Sequence, residues 1–397
     1  MRDVLVVLAL LVTGGIAAAQ GATAQGATAS SWRVGVITSA SAGSALGPLQ
    51  ARVAERAAAT YASTGIFGAP LVVDVRDDGG DPRRARDLAQ ALIDEGALAL
   101  VCCSSPAASE RVSAVAEAAG VVLLGLDGVA PGPASWTLAL RADARTQLTA
   151  VAVHVAEEGK SSMALMTLDN AFGDAAAEAF ERALADAGRQ AVGTVRYAPS
   201  ATVLTPEALW AATREPGAIV VWGLTADTDR ALSGLRARGW FGAAYVRAET
   251  VPAATWQRFA LASDTPSAPP VAGDPWWQVR SAVAPVSVVD LLPDGHPNRP
   301  AAQAARGRID ALGQRLSPQD VASLALVDDA LALVVEAFEQ VAALGLPPGL
   351  PVSSVRQAVL DALLSAPPRA LAAGTYAARA ADARFARWQG LVVVGTY

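Results

Sequence analysis

The sequence predicts an α/β protein built from two doubly wound, Rossmann-like parallel-sheet lobes. The chain has 397 residues, which is long for a single hydrophobic core and suits two domains. Short, continuously apolar segments alternate with segments whose apolar residues recur at helical spacing, and this pattern is typical of a parallel sheet covered on both faces. The alternation begins at Trp32 and restarts after Thr137, so we expect one sheet in each lobe.

The first run of elements alternates between strand and helix. Its predicted strands are Arg33–Thr38, Leu71–Val75, Ala97–Val101 and Val121–Leu124, and its predicted helices are Pro48–Ser63, Ala85–Ile93 and Ser109–Ala119. The second run has the same form. Its predicted strands are Ser161–Thr167, Ala191–Tyr197, Ala218–Trp222 and Ala244–Ala248, and its predicted helices are Asp174–Ala187, Thr205–Ala212 and Thr228–Arg238.

The last third of the chain predicts a return to both lobes. After a Pro-, Ala- and Asp-rich surface loop at 262–276 we expect a strand at Val283–Leu291, three helices (Pro300–Arg315, Asp320–Leu344 and Val352–Leu364) and strand-like pieces at Gly374–Ala378 and Gly390–Tyr397. Three crossovers, near 139–144, 270–285 and 348–372, would then form a hinge with a ligand cleft between the lobes. Lobe one would comprise 32–140 plus 282–348, and lobe two 141–281 plus 349–397.

The N-terminus has the pattern of a secretory signal. Arg2 precedes an apolar run, Val4–Val12, and the small residues Ala17–Ala19 follow. We expect cleavage after residue 19, or near residue 24, and a flexible tail over 20–31; a buried first helix is the alternative. The apolar run is too short to span a bilayer. No cysteine follows it, so we expect an exported, periplasmic protein without a lipid anchor.

Composition and motifs argue against several functions. The net charge is -6 and no basic cluster is present, which argues against a nucleic-acid partner. The only histidines, His154 and His296, have no neighbours at metal-binding spacing, and no nucleophile-elbow, phosphate-loop or dinucleotide motif occurs. We therefore expect no catalytic residue, metal or cofactor. The only cysteines, Cys102 and Cys103, are adjacent, and adjacent cysteines rarely reach disulfide geometry.

Ligands of open parallel sheets bind beyond the carboxyl ends of strands, and several short segments occur in order along the chain, many of them at such ends. They are Gly43–Gly47, Asp77–Pro82, Cys103–Ser105, Gly120–Leu124, Asp169–Asp174, Val221–Gly223 and Arg236–Gly239, followed later by Leu292–Pro297 and Asp328–Leu331. In this order the chain resembles, from about Arg33 to its C-terminus, the type 1 periplasmic binding proteins, in the branched-chain amino acid and amide group of ABC transporter substrate-binding subunits.

The resemblance implies a monomer that captures a small molecule by hinge closure and delivers it to a permease in the inner membrane. A ligand-sensing accessory of a membrane receptor is the alternative, because transport and sensing both need only a closing cleft. An enzyme on the same fold is a remote alternative.

The expected ligand-binding residues follow strands of both lobes: Leu46, Ser104, Ser105, Asp127, Gly128, Val129, Phe172, Thr225 and Glu249. Ser104 and Ser105 precede a helix, whose N-terminus can hold a carboxylate; a helix cap without a ligand is the other interpretation. Asp77–Pro82 is better explained as a turn and helix cap than as a metal site.

The resemblance also implies roles in lobe two. An aromatic at Phe172 would cover the ligand, unless it is a local core contact, and Glu249 would meet a ligand ammonium, unless it is a surface carboxylate. Trp222 and the Trp276-Trp277 pair are interpreted more readily as packing than as ligand contacts.

The chain departs from amino acid binders at Leu46, at Asp127–Val129 and at Thr225, which removes polar contacts expected for an α-amino acid. The ligand is therefore predicted to be a small organic carboxylate: an aromatic or aliphatic acid, or a branched-chain amino acid. An inward Asp127 would disfavour an anion unless Arg247 or Arg280 compensates.

Overall fold

The computed structural model describes residues 31–43, 46–62, 65–102, 105–127, 136–252, 254–261, 274–345, 350–377 and 391–396. It confirms the predicted two-lobed α/β architecture. The signal peptide, the tail to residue 30 and three expected site residues (Ser104, Gly128 and Val129) lie outside the described residues. No helix in the described part of the chain is both long enough and apolar enough to cross a membrane.

Lobe one contains a five-stranded parallel sheet. Its strands are β1 (Trp32–Thr38), β2 (Leu71–Asp77), β3 (Ala99–Cys102), β4 (Val122–Gly125) and β5 (Thr137–Ala139), in the order β2-β1-β3-β4-β5. Helices α1 (Leu46–Ala62), α2 (Pro82–Asp94) and α3 (Pro106–Ala119) connect them. Apolar residues of α2 and α3 pack on one face of the sheet, and α1 covers the other.

Lobe two begins with four parallel strands and their connecting helices. The strands are β6 (Ser162–Leu168), β7 (Gln190–Tyr197), β8 (Ala218–Trp222) and β9 (Ala243–Val246), and the helices are α4 (Ala144–Glu157), α5 (Ala171–Asp186), α6 (Thr205–Ala212) and α7 (Thr225–Ala237). Strands β10 (Phe259–Leu261) and β11 (Val279–Val283) follow. Strand β11 is parallel to β9 and returns the chain to the hinge.

The remaining elements lie after the second crossover. Helices α8 (Arg299–Asp310), α9 (Pro318–Ala343) and α10 (Val352–Ser365) pack on lobe one, and β12 (Arg369–Ala370) pairs with β13 (Thr375–Tyr376) in a small hairpin. The last strand, β14 (Val392–Thr396), lies antiparallel between β10 and β11. The sheet of lobe two therefore has the order β10-β14-β11-β9-β8-β6-β7.

Helix α10 corrects the predicted lobe boundary, which placed residues 349–397 in lobe two. The guanidinium of Arg356 donates hydrogen bonds to the carbonyl oxygens of Ile93 (2.9 Å), in the last turn of α2, and Ala97 (3.0 Å), between α2 and β3; both lie in lobe one. Asp329 of α9 accepts bonds from the backbone of Ala372 and Ala373. Of the described residues after 349, those from 350 to the β12–β13 hairpin therefore belong to lobe one, and β14 joins lobe two.

Two smaller expectations are also corrected. The segment predicted as a strand at Val283–Leu291 forms two short 3-10 turns within Pro285–Leu291, separated by the non-helical Val288; Pro285 has no N–H to donate to a strand ladder and suits the first turn of a helix. Cys102 is disulfide-bonded, although adjacent cysteines were not expected to pair, and Cys103, the chain's only other cysteine, lies outside the described residues.

The Asp77–Pro82 segment forms a turn and a helix cap. Asp77 accepts a hydrogen bond from the N–H of Gly79 (2.9 Å), and Asp81 caps α2 through the N–H of Arg83 (2.8 Å). Pro82 occupies the first turn of α2. Among the described residues, no group of three or more His, Cys, Asp or Glu side chains is arranged to hold a metal ion.

Candidate ligand-binding site

The loops at the carboxyl ends of the parallel strands lie at one edge of each sheet. The strand order reverses between β1 and β3 in lobe one and between β6 and β8 in lobe two. Ligands of open parallel sheets bind at such switch points. Ser105 follows β3, Phe172 follows β6 and Thr225 follows β8, so these three predicted residues lie at the expected edges.

A cavity of about 600 Å³, measured with its open mouth, lies where the lobes and the crossovers meet. Lobe one contributes Ser287, Gln319, Ala322, Ser323, Leu326 and Ala373; lobe two contributes Gln147, Ala248, Glu249, Trp256, Ala282, Val283 and Leu391; and the connections contribute Arg141, Ala142 and Ala284. Of the predicted site residues, Glu249 lines this cavity. Gln319 of α9 donates to the carbonyl oxygen of Ala248 at 2.5 Å, which links the two lobes beside it.

Arg247 connects three loops at the carboxyl edge of lobe two. It directly follows β9, and its guanidinium lies over the rings of Phe172 (5.2 Å) and Trp222 (5.7 Å), which follow β6 and end β8. It donates to the carbonyl oxygen of Gly223 at 3.3 Å and lies 3.6 Å from a carboxylate oxygen of Glu249. Cation–π contacts and this ion pair orient Arg247 beside the cavity. From the sequence, Arg247 was expected only as a charge that could compensate Asp127.

Phe172 is held at this edge by the start of α5. Asn170 caps the helix by accepting from the N–H of Gly173 at 3.1 Å. A Cβ on Gly173 would lie 1.7 Å from the carbonyl oxygen of Leu168, so glycine is needed for the helix to start this close to β6. Phe172 is 36% exposed, and its role in covering a ligand stays a prediction.

Asp127 is paired within lobe one. Its carboxylate lies 3.5 Å from the Nε of Arg141, and its carbonyl oxygen accepts from the hydroxyl of Ser109 at 2.6 Å. Arg141 also donates to the hydroxyl of Ser323 at 3.1 Å. The compensating cation of Asp127 is therefore Arg141, from the first crossover, and neither of the two arginines that the sequence suggested.

The other predicted residues are placed less centrally. Ser105 caps α3, and its hydroxyl accepts from the N–H of Ala108 at 3.3 Å, which leaves the hydroxyl proton available for a ligand oxygen. Leu46 begins α1 and packs partly against the lobe-one core. Thr225 is exposed at the start of α7, after the exposed Leu224. None of these residues lines the cavity.

The tryptophans divide between packing and cavity. Trp276 and Trp277 are each 6% exposed, and the indole of Trp276 donates to Asp229 at 3.1 Å, which agrees with packing. Trp256, which the sequence analysis did not select, lines the cavity, and its buried indole N–H has no hydrogen-bond partner among the described residues. No local motif marks Trp256, because the cavity wall forms only when distant segments meet.

Arg280 is buried away from the cavity. It forms an ion pair with Glu158 and donates to the hydroxyl of Tyr245 at 3.1 Å, and its Nη1 lies 3.2 Å from the Nε2 of His154. The Nε2 atom must be unprotonated to accept that bond. Burial lowers the pKa of His154, Arg280 and Lys160 lower it further, and Glu158 and Glu157 partly oppose them.

We expect His154 to make the protein less stable below about pH 6.5. Its folded pKa lies below the ordinary value near 6.5, so the unfolded chain binds the proton more tightly, and stability is lost as the pH falls through this window. In His154→Gln the titration is absent, so the melting temperature should fall less between about pH 7.5 and pH 5.5. An equal fall in melting temperature for wild type and His154→Gln would show that protonation of His154 does not destabilise the folded protein.

Comparison with known proteins agrees with this architecture. The family model described as periplasmic binding protein matches residues 31–387. A putative branched-chain amino acid ABC transporter protein from Rhodospirillum rubrum has a TM-score of 0.68 at 18% identity, covering 87% of this chain and 92% of that chain. An extracellular ligand-binding receptor from Rhodopseudomonas palustris HaA2 has a TM-score of 0.61 at 19% identity, covering 92% and 98%.

A leucine-binding protein from Thermotoga maritima has a TM-score of 0.55 at 14% identity, covering 91% of this chain and 98% of that chain. At such identities the likeness to solved structures establishes the fold alone. A comparison with curated proteins found no match. The family match spans most of the chain and the fold agrees with it: the chain belongs to the periplasmic binding proteins, with the type 1 fold.

Proposed function

We propose that this protein captures a small organic carboxylate in the periplasm by closing its two lobes, and delivers it to an ABC transporter permease in the inner membrane. The family consists of binding proteins and not enzymes, and several structural neighbours are described as substrate-binding proteins of ABC transporters. The secretory-signal pattern at residues 1–19 supports export to the periplasm.

The observation that carries the ligand class is the position of Arg247. It is a cation at the carboxyl edge of lobe two, oriented by two aromatic rings and adjacent to the interlobe cavity. A guanidinium forms strong, directed bonds with a carboxylate. In lobe one, the helix start at Ser104–Ser105 would receive the acid group. A ligand that contacts both lobes stabilises the closed state, because only differential affinity shifts the population.

A substitution at Glu249 distinguishes two ligand classes, carboxylic acids without an amine and amino acids. Its carboxylate lies 3.6 Å from Arg247 and lines the cavity, so it competes with a ligand carboxylate for the same guanidinium. For an acid without an amine, we expect Glu249→Gln to leave binding unchanged or to tighten it by about two- to tenfold, because a like charge is removed. For an amino acid, the same change would leave an ammonium unpaired and weaken binding by about 100-fold.

Calorimetry tests this with wild type and Glu249→Gln against benzoate, phenylacetate, hexanoate, leucine and valine. Glu181→Gln, in α5 and exposed, is a matched control that should leave binding unchanged. Binding of leucine or valine alone, with strong weakening in Glu249→Gln, would contradict the proposed ligand class and favour a branched-chain amino acid.

A further inference from the structure

We propose that the cavity at the hinge is an apolar subsite for the tail of the ligand, so that the preferred ligand is a monocarboxylate with an aromatic or aliphatic tail of about six to eight heavy atoms. This rests on the proposed function and names the substrate class of the same site. The inference comes from three properties of the cavity: the state of its polar side chains, its size, and the segments that form its wall.

With the exception of Trp256, the polar side chains of the wall are engaged within the protein. Arg141 pairs with Asp127 and bonds Ser323, and Glu249 pairs with Arg247. Gln147, Ser287 and Gln319 bond to backbone oxygens, at 3.2 Å to Ala142, 2.8 Å to Pro318 and 2.5 Å to Ala248. The buried indole N–H of Trp256 has no partner among the described residues and could meet one acceptor. Any other polar ligand group entering here would displace one of these partners, whereas an apolar group would displace none.

The cavity exists because its wall is built from small apolar residues. Six alanines line it, with Val283, Leu326, Leu391 and Trp256: Ala142, Ala248, Ala282, Ala284, Ala322 and Ala373. Within the cavity, the volume that the centre of a water molecule can occupy is about 80 Å³. One water needs roughly 10–15 Å³ on this measure, so the space corresponds to several heavy atoms, a ring or a short alkyl chain.

The wall couples the tail to closure. Ala322 and Leu326 belong to α9 in lobe one, Ala282 and Trp256 belong to lobe two, and Ala142 lies in the first crossover. A tail in this cavity would contact both lobes on the hinge side, while the acid group meets Arg247 nearer the cleft. Because the tail contacts both lobes, a longer tail would strengthen the closed state as well as the binding.

A chain-length series tests the subsite in Ala322→Leu, which fills the cavity from α9. Calorimetry would use straight-chain acids from acetate to octanoate, and benzoate to 4-phenylbutanoate. In wild type we expect affinity to rise about threefold to fourfold per added methylene until the cavity is full. In Ala322→Leu the rise should stop early, so that hexanoate and 3-phenylpropanoate lose at least tenfold while acetate is unchanged. Leu326→Ala should move the optimum to longer tails.

The matched control is Ala343→Leu, the same substitution at an exposed position at the end of α9, and it should bind the series as wild type does. Circular dichroism establishes that each variant is folded. Crystals of wild type and of Ala322→Leu would also be pressurised with xenon. Xenon bound in the wild-type cavity but not in Ala322→Leu would support the apolar character of the cavity independently of any acid.

Two results would overturn the subsite while the proposed function stands: wild-type affinity that does not depend on tail length, or an equal loss for acetate and hexanoate in Ala322→Leu. If no carboxylate of the series binds wild type, the proposed ligand class fails, and the assignment of the subsite to its tail fails with it.

Discussion

Replacing Arg247 with methionine is expected to weaken binding of an organic carboxylate by about 10- to 100-fold, because one charge-assisted hydrogen bond contributes roughly 1.5–3 kcal/mol. Methionine keeps an unbranched, flexible chain that replaces the aliphatic stem of arginine, but it carries no charge. It would also lose the contacts with Phe172 and Trp222 that orient the guanidinium. Calorimetry with the tightest acid of the screen measures the loss.

Two further variants give this prediction its controls. Arg247→Lys retains the charge but not the planar fork or the stacking. We therefore expect its affinity for the acid to lie between those of wild type and Arg247→Met. Arg182→Met, which removes an exposed arginine of α5 paired with Glu178, should bind as wild type does. Wild-type affinity in Arg247→Met would show that the ligand anion is held elsewhere, and the helix start at Ser105 would then be the remaining candidate.

Replacing Asp329 with alanine is expected to destabilise the protein by about 3–5 kcal/mol near pH 5.5, because it leaves buried donors without an acceptor. Asp329 is 2% exposed and accepts three hydrogen bonds: from the N–H groups of Ala372 (3.0 Å) and Ala373 (2.8 Å), and from the hydroxyl of Tyr376 (2.9 Å). These bonds anchor the last lobe-one segment before the chain continues to β14. Chemical denaturation followed by circular dichroism measures the change in unfolding free energy.

The loss should depend on pH. Burial raises the pKa of Asp329 to about 7 in the fold, against the lowering effect of its three donors. The folded state therefore binds the proton more tightly than the unfolded chain, and the contribution of Asp329 is greatest below about pH 4 and declines as the pH rises through 7. The gap between wild type and Asp329→Ala should narrow over that range.

Asp361→Ala is the control for this prediction, since Asp361 is an exposed residue of α10 that accepts a hydrogen bond from Gln357 in its own helix. It should cost less than about 1 kcal/mol at every pH. If Asp329→Ala lowered the unfolding free energy by no more than Asp361→Ala does, water would be replacing the carboxylate at the three donors.

Much of the fold was predictable from local pattern. Continuously apolar segments identified the parallel strands, and the restart after Thr137 identified the second sheet. The Asp77–Pro82 turn was predictable because an acidic helix cap and a proline in the first helical turn depend only on neighbouring residues in the sequence. Phe172 and Thr225 follow β6 and β8, since their position depends on the strand that each one succeeds, and their contact with a ligand stays a prediction.

What the sequence determined by itself was therefore the order of strands and helices, the two lobes and the edges at which a ligand can bind. The tertiary structure alone decided that α10 belongs to lobe one, because the bond from Arg356 to Ala97 joins residues 259 positions apart. It also decided that Arg141, and not Arg247 or Arg280, pairs with Asp127, and that Trp256 and six alanines enclose a cavity. These features depend on which side chains meet when the lobes fold. Hydrophobic periodicity reports which face of an element is buried, but it carries no information about the partner that buries it.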